Sequence, residues 1–186
     1  RLSQEFGDEL LYALDVFKND YPRPFLHQLV SSQLDMDRMD YLNRDSFYTG
    51  VSEGKVGSDR IIEMLNVHNE QLVVEEKGIY SIEKFITSRR FMYWQVYLHK
   101  TVVAAEYLLI RILERAKELT LAGENLFASP ALDFFLRNEV DRESFLNDEQ
   151  VLEQFALLDD YDIMGAIKVW MSHPDKVLSL LSKKLV

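Results

Sequence analysis

A mainly α-helical bundle with one small β-ribbon, around residues 66–77, is the fold class this sequence predicts. Three observations support it. Only 7 glycines and 4 prolines serve 186 residues, so the chain has few places to turn. Apolar side chains recur at three- and four-residue intervals along most of its length. The β-like pattern is confined to residues 66–78, where Leu72-Val73-Val74-Glu75-Glu76 runs into Lys77-Gly78.

Composition narrows the class further. At 47% hydrophobic and 28% charged, the chain is ordinary for a globular protein, with material for one sizeable core or a core plus a small appendage. A formal charge of −10 argues against a general nucleic-acid surface, because neutralising phosphates needs an excess of Lys and Arg. A small local basic pocket remains compatible with it. With no cysteine there is neither a disulfide nor thiolate chemistry, in keeping with a cytoplasmic setting. The apolar runs Val102–Ala105 and Tyr107–Ile110 are interrupted by Glu106 and Arg111, so no membrane span is expected.

In chain order, Leu2, Phe6, Leu10, Leu11, Leu14 and Phe17 form the apolar stripe of an opening helix. The chain begins abruptly inside that pattern, as a fragment of a longer protein would. Tyr21-Pro22-Arg23-Pro24 enforces an extended break, because each proline biases its predecessor away from helix. Phe25–Val30 is a short helix in which His27 has a structural role. Gly50–Asp59 is a loop ending in a Ser58 or Asp59 cap for a helix from Arg60 to Leu65. It lacks the Gly-Lys-Ser/Thr ending of a phosphate-cradling loop. Ile79 to about Leu121 reads as one long helix, with Val102–Leu113 apolar nearly all round and expected to be buried. Helices over 130–137, 148–158 and 161–172 follow, and Asp175 caps a last one through Leu185. The expected division is residues 1–121 and 122–186, with Ala122–Ser129 between them.

Two stretches carry chemistry. In Ser31–Gly50, four carboxylates, two guanidiniums and two tyrosines fall within twenty residues. On a helix, Asp37, Tyr41, Arg44 and Tyr48 share a face, with Asp45 beside them. In the long helix, Arg89, Tyr93, Tyr97 and Lys100 share another. Solvated ion pairs and aromatic packing account for such faces in many helices. Together, however, they hold what a metal-assisted phosphoester site requires. Carboxylates hold a divalent ion, cations take phosphate oxygens, and flat phenols pack on a sugar or base. No His-x-x-x-His, His-Glu-x-x-His or His-Asp pair is present.

The run Ser-Ser-Gln-Leu-Asp-Met-Asp-Arg-Met-Asp-Tyr-Leu-Asn-Arg-Asp-Ser-Phe-Tyr-Thr-Gly resembles the last motif of HD-domain phosphohydrolases. The resemblance is strongest to bacterial proteins related to deoxynucleoside triphosphate triphosphohydrolases. Arg89, Tyr97, His99 and Lys100 match a spaced arginine, tyrosine, histidine and lysine of that group, and the likeness covers roughly residues 20–120. It implies that residues 1–121 are the C-terminal half of an HD-like helical core and 122–186 a following helical subdomain. By position, Asp37 resembles the fourth ligand of a divalent metal centre, with magnesium, manganese, iron, nickel and zinc all admissible. Arg38 and Arg89 match contacts to substrate phosphate, Tyr41 and Tyr97 walls of the nucleotide site, and Asp45 the carboxylate that reads a sugar hydroxyl. His99 and Lys100 match a segment touching a regulatory nucleotide in some relatives. Leu98 stands where a relative has a glutamine near the base. The first three metal ligands of the family would precede Arg1, so the isolated chain is expected to be inactive.

The resemblance thus implies a phosphohydrolase that converts deoxynucleoside triphosphates to nucleoside and triphosphate, assembled as a homodimer or homotetramer and not associated with membranes. Two alternatives stay open at this point. One keeps the metal site but acts on a nucleoside monophosphate or a phosphodiester. The other is a non-catalytic helical module for nucleotide binding or oligomerisation.

Overall fold

The computed structural model describes residues 5–186, so Leu2 of the opening stripe lies outside the described residues. The chain packs as two compact units, one ending at His99 and the other running Lys100–Val186. The architecture is mainly helical with a single two-stranded antiparallel ribbon among the described residues, as the pattern predicts.

In the first unit, helix α1 (Glu9–Lys18) ends on Asn19 in the left-handed conformation. Helix α2 (Pro24–Val30) starts on a proline, whose fixed φ suits a first helical position. His27 Nδ1 lies 2.9 Å from the Val16 carbonyl, the structural role its apolar neighbours suggest. Helix α3 (Met36–Thr49) carries the acidic motif. Asp35 caps it by accepting the Arg38 backbone N–H at 2.7 Å, and Gly50 at φ +72° stops it.

The next helix, α4 (Ser58–Glu63), starts and ends earlier than expected and has no side-chain cap. Gly57 holds the cap position and Ser58 falls inside the helix, where its Oγ accepts the Asn43 side-chain amide at 2.7 Å. Strands β1 (Leu65–His68) and β2 (Gln71–Val74) pair from Leu65↔Val74 to His68↔Gln71. Asn69 and Glu70 both take positive φ, the geometry of a tight two-residue hairpin turn.

The expected single helix from Ile79 to Leu121 is broken. Helix α5 (Ile79–Met92) passes into a wide π-turn over Tyr93–Tyr97, closed by the Leu98 N–H donating to the Tyr93 carbonyl at 2.8 Å. Helix α6 (Lys100–Leu121) then starts afresh. No glycine or proline announces the break. The run Tyr-Trp-Gln-Val-Tyr is rich in aromatic and β-branched residues of modest helix propensity, and tertiary contacts of Tyr97 decide the outcome.

Met39, Leu42, Val56, Ile61, Phe85 and Met92 form the buried core of this unit. The chain approaches that core closely at Gly54. A β-carbon there would clash with Met92 Sδ and lie 3.1 Å from Ser46 Cβ. Gly54→Ala is therefore expected to destabilise the first unit by about 1–3 kcal/mol in chemical denaturation, the usual cost of overpacking.

The second unit is built on Ile112 and Ala116 of α6 packed with Leu126, Leu132, Leu136, Ala166, Ile167, Trp170 and Leu178. These come from helices α7 (Pro130–Arg137), α10 (Asp160–Trp170) and α11 (Lys176–Leu185) and the segment before α7. Trp170 Nε1 donates to the Phe127 carbonyl at 2.9 Å, which satisfies its one polar group. Helices α8 (Arg142–Asn147) and α9 (Glu149–Leu157) lie between α7 and α10, and α8 is an element the sequence pattern did not announce. Val102–Leu113 is not the buried helix expected. Ile112 is buried and Leu108, Leu109 and Leu113 pack partly on the core, but Val102, Tyr107 and Ile110 are exposed.

Asp175 caps α11 as predicted, accepting the Leu178 N–H at 2.8 Å. It also receives two guanidinium bonds from Arg115, at 3.2 and 2.7 Å. Arg115 first, and then the Leu178 amide, hold its carboxyl below the usual value, at about 2. A depressed folded-state pKa adds stability above the unfolded value of 3.8, which is lost as pH falls from there through about 2. Asp175→Asn is expected to flatten the acid limb of the stability curve in that window, read by circular dichroism.

Candidate functional site

The first unit brings together side chains that stand more than fifty residues apart. Tyr97, at the end of the π-turn, donates its phenol to Asp45 Oδ2 at 2.7 Å. Its ring meets Tyr41 edge-on with centroids 6.1 Å apart, and Tyr93 in the same manner at 5.2 Å. Arg89 lies one helical turn before Tyr93, its guanidinium carbon 5.7 Å from that ring's centre. From there its Nη1 reaches Gln33 Oε1 at 3.0 Å, ahead of the cap of α3. Arg89, Tyr93, Tyr97, Tyr41 and Asp45 thus form one connected face, contributed by α3, α5 and the π-turn.

The Tyr97–Asp45 pair has a defined polarity. Burial first, and then the bond to the carboxylate, hold the Tyr97 phenol well above the ordinary tyrosine range. It is a neutral donor throughout the working range of an enzyme. Asp45 Oδ1 takes no protein hydrogen bond among the described residues, so it can accept from a ligand hydroxyl.

Asp37 and Arg38 sit in the first turn of α3. Asp37 is exposed, and a carboxylate there is favoured by the helix dipole. Arg38 is largely committed to the protein. Its Nη1 donates to the Ser32 carbonyl at 2.5 Å and lies 3.7 Å from Asp35, while its buried Nε has no hydrogen-bond partner. The side chain is 21% exposed. Two members of the helical face turn elsewhere. Arg44 pairs with Asp40 in solvent, and Tyr48 packs edge-on to Phe47 with both rings exposed. His99 ends the first unit and Lys100 opens the second.

A metal centre needs several donors. Among the described residues no group of three or more His, Cys, Asp or Glu could hold an ion. Asp37 fits one ligand position and does not make a centre by itself. What these residues can do chemically is hold a phosphorylated, hydroxylated, flat ligand: Arg89 supplies a fork for phosphate, the tyrosines supply walls, and Asp45 supplies an acceptor. Spacing grouped Arg89, Tyr93 and Tyr97 but missed Gln33. Nothing in the local pattern of Gln33 signals its contact with Arg89.

The chain that carries this face is similar to known proteins. Residues 56–131 match the model of the HD-associated region. A crystallised phosphohydrolase of Bacteroides thetaiotaomicron is 60% identical and superposes with a TM-score of 0.97, covering 100% of this chain and 46% of its own. The Bacillus subtilis protein YwfO is 36% identical over 92% of this chain and 38% of its own length. A Dictyostelium discoideum protein named as a deoxynucleoside triphosphate triphosphohydrolase SAMHD1 homolog is 27% identical over 56% of this chain and 21% of its own. These matches support a relation to the HD-domain phosphohydrolase-related family. It spans less than half the length of each of these three relatives. No helix among the described residues is long and apolar enough to cross a membrane.

Proposed function

We propose that this chain supplies the nucleotide-contacting part of an HD phosphohydrolase active site, and that the whole protein hydrolyses deoxynucleoside triphosphates to nucleoside and triphosphate. The observation that carries this reading is the connected face from Arg89 through Tyr93 and Tyr97 to Asp45. The name of the Dictyostelium relative supports the substrate class.

In this reading Asp45 accepts the sugar hydroxyl through Oδ1 while Tyr97 holds Oδ2, so the carboxylate is oriented before substrate arrives. Tyr41 and Tyr97 bound the sugar and base. Leu98 lies with Arg90, Tyr93 and Trp94 and not with Tyr41 and Asp45, so it is given no part in selecting the base. Arg89 holds phosphate oxygens at the far end of the face. Arg38, already bound to Ser32, is the lesser phosphate contact, and its main work is to fix the start of α3. Asp37 is one donor to a divalent ion, whose chemistry when bound is to polarise phosphoryl oxygens and lower the pKa of water. The remaining donors lie outside these residues. His99 and Lys100 are assigned to a regulatory nucleotide, and assembly to a homo-oligomer.

The test is inorganic triphosphate release by the full-length protein from a panel of deoxynucleoside triphosphates, with nucleoside monophosphates and phosphodiesters alongside. Triphosphate and nucleoside in equal amounts support the reading. Turnover confined to monophosphates or diesters replaces it with the second substrate class. No turnover with any member leaves a nucleotide-binding module.

A further inference from the structure

Beside the connected face lies an open groove of about 380 Å³, lined by Ile86, Arg89, Arg90, Tyr93, Trp94 and Leu98. Its chemistry is unusual for a solvated helix surface. The Arg90 guanidinium carbon lies 4.1 Å from the centre of the Trp94 ring, and Arg89 covers Tyr93 in the same way one residue earlier. Among the described residues neither arginine has a carboxylate at ion-pair distance, although the chain carries 31 acidic residues. The indole stays 56% exposed, and Ile86 and Leu98 flank it at 61% each. A flat apolar floor beside two unneutralised cations is complementary to an aromatic ring joined to phosphates.

Arg89 belongs both to this groove and to the site. The groove therefore adjoins the site at Arg89 and Tyr93, and a ligand bound by phosphate at Arg89 has Arg90 and Trp94 as its next neighbours on that side. A nucleoside triphosphate ends there in phosphate and leaves the indole bare. A ligand with a second nucleoside beyond its phosphates would cover it. From this we infer that the groove receives the distal nucleoside of a dinucleoside polyphosphate, stacked on Trp94, with Arg90 bound to the phosphate bridge. The inference rests on the proposed nucleotide site and extends its ligand class.

The test is binding to the full-length protein, read by calorimetry and tryptophan fluorescence, with diadenosine tetraphosphate and dATP as probes. Quenching seen in the wild type and lost in Trp94→Phe reports Trp94, since Trp170 is 1% exposed and hydrogen-bonded to the Phe127 carbonyl. Calorimetry supplies affinities for the non-fluorescent variants. Diadenosine tetraphosphate is expected to quench and to bind about tenfold more tightly than dATP, the value of one base stacked on an aromatic ring. Trp94→Ala should erase that preference and leave dATP affinity unchanged. Arg90→Ala should reduce the preference, and Asp45→Asn should weaken both ligands.

Equal affinity for the two probes, or a preference that survives Trp94→Ala, overturns the inference and leaves the nucleotide site standing. Quenching that ignores Asp45→Asn also overturns it, because the groove would then act alone. Tighter binding of a single-stranded oligodeoxyadenylate than of either probe replaces it with a nucleic-acid surface. If neither probe binds, the nucleotide site falls as well.

Discussion

Asp37→Ala in the full-length protein is expected to strip bound divalent metal and to lower phosphoester hydrolysis roughly a thousandfold, while the fold survives. A metal that polarises a phosphoryl oxygen contributes several kcal/mol to the transition state, and each 1.4 kcal/mol is about a tenfold change in rate. The structural cost should be small. Asp37 is exposed on the first turn of α3, where a carboxylate contributes about 0.3–1 kcal/mol through the helix dipole. The cap that starts the helix belongs to Asp35, which is untouched. Metal content by atomic emission, turnover and thermal unfolding should be measured on the same preparation. Retained metal and turnover would remove Asp37 from the ligand set. Loss of fold along with activity would favour a structural ion-pair role.

Arg89→Ala should raise KM for a deoxynucleoside triphosphate about ten- to a hundredfold, the usual weight of one charge-assisted hydrogen bond. For a nucleoside monophosphate the change should be several-fold smaller, because the fork lies at the end of the face away from Asp45. Arg89→Lys keeps the charge and loses the planar fork, so it should fall between the two. In the free protein Arg89 is bonded to Gln33 and stacked on Tyr93, so the side chain is held in place before ligand arrives. Removing it costs the fold little, since neither contact is a buried ion pair. Equal effects on triphosphate and monophosphate would exclude a polyphosphate substrate.

The parts of this molecule differ in how far the sequence foretells them, for physical reasons. The ribbon was legible because Leu72-Val73-Val74 has no helical period and runs on to Lys77-Gly78, whereas the turn at Asn69 and Glu70 emerged only in the fold. The cap of α11 was legible from Asp175 beyond His173-Pro174. Helix α8 was not, since Arg-Glu-Ser-Phe-Leu-Asn shows no apolar period and only Asp141, accepting the Ser144 amide, marks its start. Nor was the break after Met92, which no glycine or proline signals. In the site, helical spacing grouped Tyr41 with Arg44 and Tyr48, yet only Tyr41 and its neighbour Asp45 take part in the connected face. Their partner Tyr97 stands 52 residues beyond Asp45, and no local period reports a contact of that range. The family resemblance drew attention to both residues; the coordinates put them in contact.

The π-turn carries a consequence for how this segment tolerates change in length. A wide turn holds one residue more than a regular helical turn, and here that extra residue sets the phase at which Tyr97 leaves the backbone. Deleting any one of residues 94–96 would remove the extra residue, let the turn close as ordinary helix and shift the place that Tyr97 takes on it. Tyr97 would then lose its 2.7 Å bond to Asp45, though no side chain of the connected face had been altered in kind. The segment should therefore accept exchanges of residue identity far more readily than insertions or deletions, with its residue count as tightly constrained as its chemistry.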